Sequence, residues 1–348
     1  MTLRSLITAV AVVCVFVGVA GYSLLSANTA PVVQVLGSPS PHSRAEDLPN
    51  LAVDLTFSSD GRRLVAWQKD GNILAWDLST GRAKHLGRSD SVFAMCGAKD
   101  LMLKAGEGGV LSVETLAGKV VTQLELGQLD HVAWSKDCSR FALAPKDKTE
   151  IELWDGDQLF HVATTPTSMA VRNGISLSAD GSEIAAAVGS HSSTMGHRTV
   201  IEVFSHQKDG KLARRALYSA ANSVLGMWKM VFNPRTPSLY VGSQIAGKSG
   251  LRSFETATGS ETWHQSGFEA YWVRALAVSP DGSLLISGDE EGNLRLWDAA
   301  TGKRLVSYKT GLVVQSVAFS GDGRKLAVAL WDGTIAILDV KRHLTAGT

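Results

Sequence analysis

Cysteine is scarce in this chain: Cys14, Cys96 and Cys138 are the only three in 348 residues, and no Cys-x-x-Cys occurs. That pattern supports neither a disulfide scaffold nor a cysteine zinc site. Charge of one sign is equally lacking. Thirty-four Lys and Arg face 33 Asp and Glu, charged residues total 19%, and no block of like charges is present. A nucleic-acid binder relying on a basic footprint is excluded, as is an acidic solvating tail. Also missing are a Gly-x-Ser-x-Gly elbow, a Walker loop and His-Glu-x-x-His, so three common catalytic signatures are absent. What is present is apolar bulk: 45% of residues, enough to fill one large domain or two ordinary ones.

Residues 5–25, "SLITAVAVVCVFVGVAGYSLL", carry no charge. About 20 apolar residues cross a bilayer as a helix, whereas a cleavable signal has an apolar core of roughly 7–15. Length favours an uncleaved signal anchor over 1–26. A cleaved signal, with Ala27 or Ala30 near the cut, and a buried helix are the alternatives. Cys14 is not a lipid-anchor site, because Val13 stands where a small residue is expected. Arg4 is the only cationic side chain before Arg44. The positive-inside bias then puts the rest of the chain outside the cytoplasm: periplasmic or extracellular if anchored, secreted if cleaved. Residues 27–50 are rich in Pro, Ser and Asn and read as a linker containing one apolar patch, Val32 to Leu36.

From there the chain repeats itself. Asp-Gly pairs occur at 60–61, 180–181, 281–282 and 322–323, and Trp-Asp at 76–77, 154–155 and 297–298, with Leu338-Asp339 as a fourth. From 281 to 322 is 41 residues and from 60 to 180 is 120, or three steps of 40; a period near 40 with four short strands per unit is the signature of a propeller blade. Seven copies fit: 51–86, 91–124, 129–165, 172–217, 224–265, 271–308 and 313–340, leaving 341–348 as a tail. First strands align on Ser58, Cys96, Ser135, Ser178, Asn233, Ser279 and Ser320. One residue earlier stand large side chains (Phe57, Met95, Trp134, Leu177, Phe232, Val278, Phe319), and two earlier small ones. Strands buried on both faces, with complementary sizes, belong to sheets stacked face to face around a ring.

The stretches "ALAVSPDGSLLISGDEEGNLRLWDAATGKRL" and "SVAFSGDGRKLAVALWDGTIAILD" resemble repeats of the Trp-Asp (WD) family. The likeness is close in copies one, six and seven and loose elsewhere, over about 290 of the 348 residues. It implies an all-β fold, a seven-bladed β-propeller serving as a scaffold for protein partners. The family often places Gly-His before the first strand, in a buried hydrogen-bond network with Asp, Ser or Thr and Trp. No Gly-His stands in those loops here, so that network is expected to be absent or replaced. Copies two, four and five also lack Trp-Asp and are expected to be irregular. Copy seven supplies only three strands, and the patch 32–36 lies where it could pair as the fourth; the family implies the same joining of first and last blades.

Little in the chain points to chemistry. Gly106 to Gly109 falls where copy two needs a hairpin turn, so phosphate cradling is not expected. His191 and His197, with His206 further on, lie in or beside an insertion of copy four, where solvated loop histidines are the plainer reading than a metal site. Cys96 and Cys138 fall at the same end of adjacent copies and could oxidise together; two separate small apolar residues is the favoured reading. Asp70, Asp332, Glu290 and Glu291 sit in turns and give no support to a paired-carboxylate hydrolase. No catalysis, cofactor or metal is expected.

A partner is therefore sought at the rim of the channel. Five residues before each aligned position stand Val53, Ser91, Asp130, Asn173, Trp228, Arg274 and Gln315. Loops on the same face add Trp67 and Trp331, and the loop before copy six adds Phe268, Tyr271 and Trp272. Aromatics and Arg are enriched where partners bind. Half of these aromatics are expected in the core. The expected partner-binding set is Trp272, Arg274, Trp228, Tyr271, Trp67, Trp331, Asp130 and Gln315, with Trp272, Arg274 and Trp228 foremost. The expected function is a membrane-tethered, extracytoplasmic, non-catalytic scaffold for a protein or peptide, with no nucleic acid. A propeller enzyme or redox subunit holding a metal or cofactor in its channel is the alternative, and a carbohydrate-binding propeller is a second.

Overall fold

The structure is a computed structural model and describes residues 32–38, 50–192, 196–221, 229–245, 248–268 and 272–341. The segment 5–25 lies outside them. No helix among the described residues is long and apolar enough to cross a membrane.

Seven four-stranded antiparallel sheets follow one another along the chain. Their innermost strands are Ala52–Phe57, Phe93–Cys96, Leu129–Trp134, Val171–Leu177, Lys229–Phe232, Val273–Val278 and Val314–Phe319. Six sheets are simple meanders. The seventh takes its outermost strand, Val32–Leu36, from the start of the chain, which pairs antiparallel with Ile335–Asp339, Val35 opposite Ala336 and Leu36 opposite Ile335. This closes the ring, and the inner strands of blades one and seven pack together as neighbours do elsewhere.

Turn chemistry makes the meanders possible. In blade one, the Ser58 hydroxyl donates to Asp60 Oδ1 (2.6 Å) and accepts from the Arg63 N–H (3.0 Å), while Asp60 Oδ1 accepts from the Arg62 N–H. The same lock recurs at Ser135–Asp137, Ser178–Asp180, Ser279–Asp281 and Ser320–Asp322. Gly61, Gly181, Gly282 and Gly323 follow with φ between 64° and 76°, a left-handed conformation that costs glycine nothing. Asp77, Asp155 and Asp298 of the Trp-Asp pairs cap the next turn by accepting backbone N–H groups, and their Trp partners are buried. The pair is structural.

The core lies in the seams rather than within any one sheet. Seven clusters of buried apolar residues are found, one for each seam between neighbouring blades. At the seam of blades two and three, Phe141 is fully buried against Trp134 and Trp154. Stacking both faces of every sheet is what the large and small residues of the inner strands require.

Two expectations need correction. Cys96 and Cys138 are not separate apolar residues: they form a disulfide, Cα atoms 5.8 Å apart, stapling the inner strand of blade two to the first turn of blade three. Cys138 holds φ 61° in the slot that glycine fills in four other blades, and this bond gives a non-glycine residue a reason to be there. Secondly, the insertion of blade four is no loose loop. It extends the hairpin Glu183–Ser192 and Gly196–His206, whose register sets His191 opposite His197. His206 lies at the other end of that strand, nine residues or about 30 Å away, so the three cannot share an ion. No cluster of metal-ligating side chains exists among the described residues.

The expected hydrogen-bond network is rearranged. In blade six, Trp297 Nε1 donates to Ser287 Oγ (2.9 Å). The buried Asp289 carboxylate gathers the Asn293 side chain and Arg295. Blade five uses other residues. Asn233 Nδ2 donates to the Tyr240 hydroxyl and to Gly282 O, and Tyr240 donates to Ala299 O of the next blade.

Candidate functional site

Antiparallel pairing puts the start of each inner strand at the same end of the ring as the turn between the second and third strands. At that end, between blades six and seven, three predicted residues converge. The Arg274 guanidinium lies 5.1 Å from the Trp272 ring centroid and 5.3 Å from that of Trp331. Glu290 stands 3.9 Å from Arg274 Nη2. Trp272 is tied to the same corner, because its carbonyl accepts the Glu290 N–H, and Trp331 N–H donates to Val313 O. Both indoles are half-buried. A cation held between two aromatic faces is oriented by both rings. Burial pulls the Arg274 pKa down and Glu290 opposes this.

The other predicted residues are dispersed. Gln315 is buried at the start of the neighbouring inner strand, and its Oε1 has no hydrogen-bond partner among the described residues. Asp130 is exposed on blade three. Trp67 stands apart from the clamp, half-buried at the same end of blade one: its indole donates to Ser89 O (3.3 Å) and packs with Phe93 in the seam of blades one and two. Trp228 and Tyr271 lie outside the described residues.

The ring of positions facing the channel differs by one residue from the sequence expectation. In blades one, three, six and seven the inner strand carries a β-bulge between Ala52 and Asp54, Leu129 and His131, Val273 and Ala275, and Val314 and Ser316. Each bulge holds one extra residue: Val53, Asp130, Arg274 and Gln315. An extra residue re-aims every side chain beyond it, so the next position comes into the ring. That position supplies Asp54, Gly174, Lys229, Ala275 and Ser316, which line a cavity of about 220 Å³ together with Arg274.

Electrostatic coupling runs across this cavity. Asp54, on blade one, is raised to about 6 by burial, against the pull of Lys229 on blade five. Lys229 is lowered by burial, partly offset by Asp54 and reinforced by Arg274. His131, on blade three, is lowered by burial with a further push from Lys229, while Asp130 pulls the other way. Sequence reasoning missed Asp54 and Lys229. The signal was there: each is the only charge in its inner strand, Ala52–Phe57 and Lys229–Phe232.

Comparison with known proteins adds the following. The family described as "WD domain, G-beta repeat" matches residues 260–298 and 302–339, in blades five to seven. Small ribosomal subunit protein RACK1z of Oryza sativa subsp. japonica is 46% identical over 74 residues, 21% of this chain and 22% of that protein. Ribosome biogenesis protein BOP1 of Homo sapiens is 48% identical over 48 residues, 14% of this chain and 6% of that one. The chain thus matches about a fifth or less of these relatives' length. Among solved structures, Kuenenia stuttgartiensis hydrazine synthase superposes with TM-score 0.67 over 87% of this chain and 99% of that one, at 15% identity. That likeness concerns the fold alone.

Proposed function

Because this chain is a WD-repeat β-propeller, we propose that it is a non-catalytic scaffold, tethered outside the cytoplasm, that captures a protein or peptide partner at the rim between blades six and seven. The observation that carries this reading is the clamp of Trp272, Arg274 and Trp331. Aromatic and Arg side chains, half-buried and fixed in place, are what anchors of an interface are made of. Glu290 beside them confers a preference by charge: a partner must offer an acidic group to Arg274 without crowding Glu290. The ribosomal roles named for the relatives stay with those proteins, since about a fifth or less of each is matched.

The location rests on two supports. The uncharged run 5–25 is long enough for an anchor, and the Cys96–Cys138 disulfide suits an oxidising compartment. Confinement to a surface raises the effective concentration of a weak binder.

Affinity purification of the full chain from detergent-solubilised membranes, read by mass spectrometry, tests the partner. Trp272→Ala and Arg274→Ala are expected to keep a cooperative melt and lose the captured protein. Equal capture by wild type and both variants rejects the rim. Thiol alkylation of intact cells before and after reduction tests the compartment: both cysteines of the propeller should react only after reduction.

A further inference from the structure

The cavity described above contains more chemistry than the rim clamp uses. Asp54 and Lys229 come from blades one and five, on opposite sides of the ring, and feel each other's charge. They do not touch. Asp54 Oδ1 is held by the Leu55 N–H at 3.0 Å. Among the described residues, no carboxylate lies within salt-bridge distance of the Lys229 ammonium. Small residues keep the space between them open. Ala275 and Ser316 line it, and a Cβ added to Gly174 would meet nothing within 4 Å, at a φ of 114° that favours glycine.

A charge taken out of bulk water needs a partner. Arg274 already has Glu290 beside it, which leaves Lys229 as the cation to be answered. A lone anion entering this cavity would satisfy Lys229 but face the Asp54 carboxylate, and a lone cation would satisfy Asp54 but face Lys229. A molecule bearing both charges, a few bonds apart, satisfies each. The volume is below the roughly 300–1,000 Å³ of drug-sized sites, so the occupant is small.

We propose that the channel cavity binds a small zwitterion of amino-acid size, its carboxylate toward Lys229 and its ammonium toward Asp54. Ser316 is placed to offer a hydroxyl beside it. The site is separate from partner capture, because Asp54 and Lys229 take no part in the clamp. The rim and the cavity meet only at Arg274.

The test is isothermal titration of the full-length protein in detergent at pH 7.5 with glycine, β-alanine and 4-aminobutyrate, which space the two charges differently. Acetate and methylammonium, each carrying one charge, are the controls. At least one zwitterion should bind about tenfold tighter than either control. In Asp54→Asn the ammonium loses its partner and the cavity becomes net positive, so zwitterion affinity should fall about tenfold while acetate affinity rises. Lys229→Met should abolish both. Trp272→Ala should leave zwitterion binding intact even where partner capture is lost, which separates this proposal from the rim. Absence of zwitterion binding to wild type, acetate binding as tightly as the zwitterions, or unchanged selectivity in a folded Asp54→Asn protein overturns the proposal.

Discussion

The seams between blades and the wall of the channel are built from the same inner strands, yet they obey different rules. Every seam is an apolar cluster, and the residues that fill it vary in identity but not in kind. The channel wall shows Asp, His, Gly, Lys, Ala and Ser at one equivalent position in six different blades. The seam repeats because each blade must solve the same packing problem. The wall does not repeat because nothing about closing the ring requires it. In a molecule made of copies, the position where the copies disagree is where a ligand is recognised.

Four substitutions test that contrast. Phe141→Ala, deep in the seam of blades two and three, should cost about 3–5 kcal/mol, seen as a large fall in urea midpoint. A cost near zero would mean the seam is not the core. Asp54→Asn, in the wall, should do the opposite. An acid whose folded pKa stands above its unfolded value of about 3.9 makes folding less favourable as pH rises through that interval. Lys229 and Arg274 line the cavity with it, and its folded value is about 6. Removing the charge should therefore stabilise the protein by up to about 3 kcal/mol at pH 8 and by almost nothing at pH 4. Equal effects at the two pH values would refute the burial of that charge. In a Cys96→Ala background, Cys138→Gly should be more stable than Cys138→Ala by about 1 kcal/mol, since glycine accepts the left-handed backbone without strain. An effect of the same size is expected at Tyr240→Phe, about 1 kcal/mol. Asn233 keeps its bond to Gly282 O, and Ala299 O keeps the Trp263 indole N–H.

Most of the ring was legible because its signals are local. Ser-x-Asp-Gly and Trp-Asp write their turns within a few residues, so a period near 40 could be counted directly. Blade five shows the limit: Asn233 and Tyr240 carry out the turn's work with no resemblance to Ser and Asp. The staple was legible only as a possibility, because sequence sets Cys96 and Cys138 at the same end of adjacent copies but does not give their separation. The channel ring escaped for a subtler reason. A bulge recurring at Val53, Asp130, Arg274 and Gln315 shifts the side-chain phase by one, and strict alternation cannot reveal an inserted residue. Trp272 and Trp331 were picked out by their place in loops and Arg274 by its place at the start of an inner strand, and the structure brings the three together.

The closing strand sets a schedule as well as a shape. Val32 to Leu36 is among the first parts of the propeller to be synthesised, and its partner Ile335–Asp339 is among the last. At 5–20 residues per second, that strand waits roughly 15–60 s for its mate. Three of its five side chains, Val32, Val33 and Val35, remain exposed even in the finished ring. During the wait the whole strand is an unpaired apolar edge, the kind that recruits the wrong neighbour. Guarding the first strand until the last is made therefore favours correct closure of the ring.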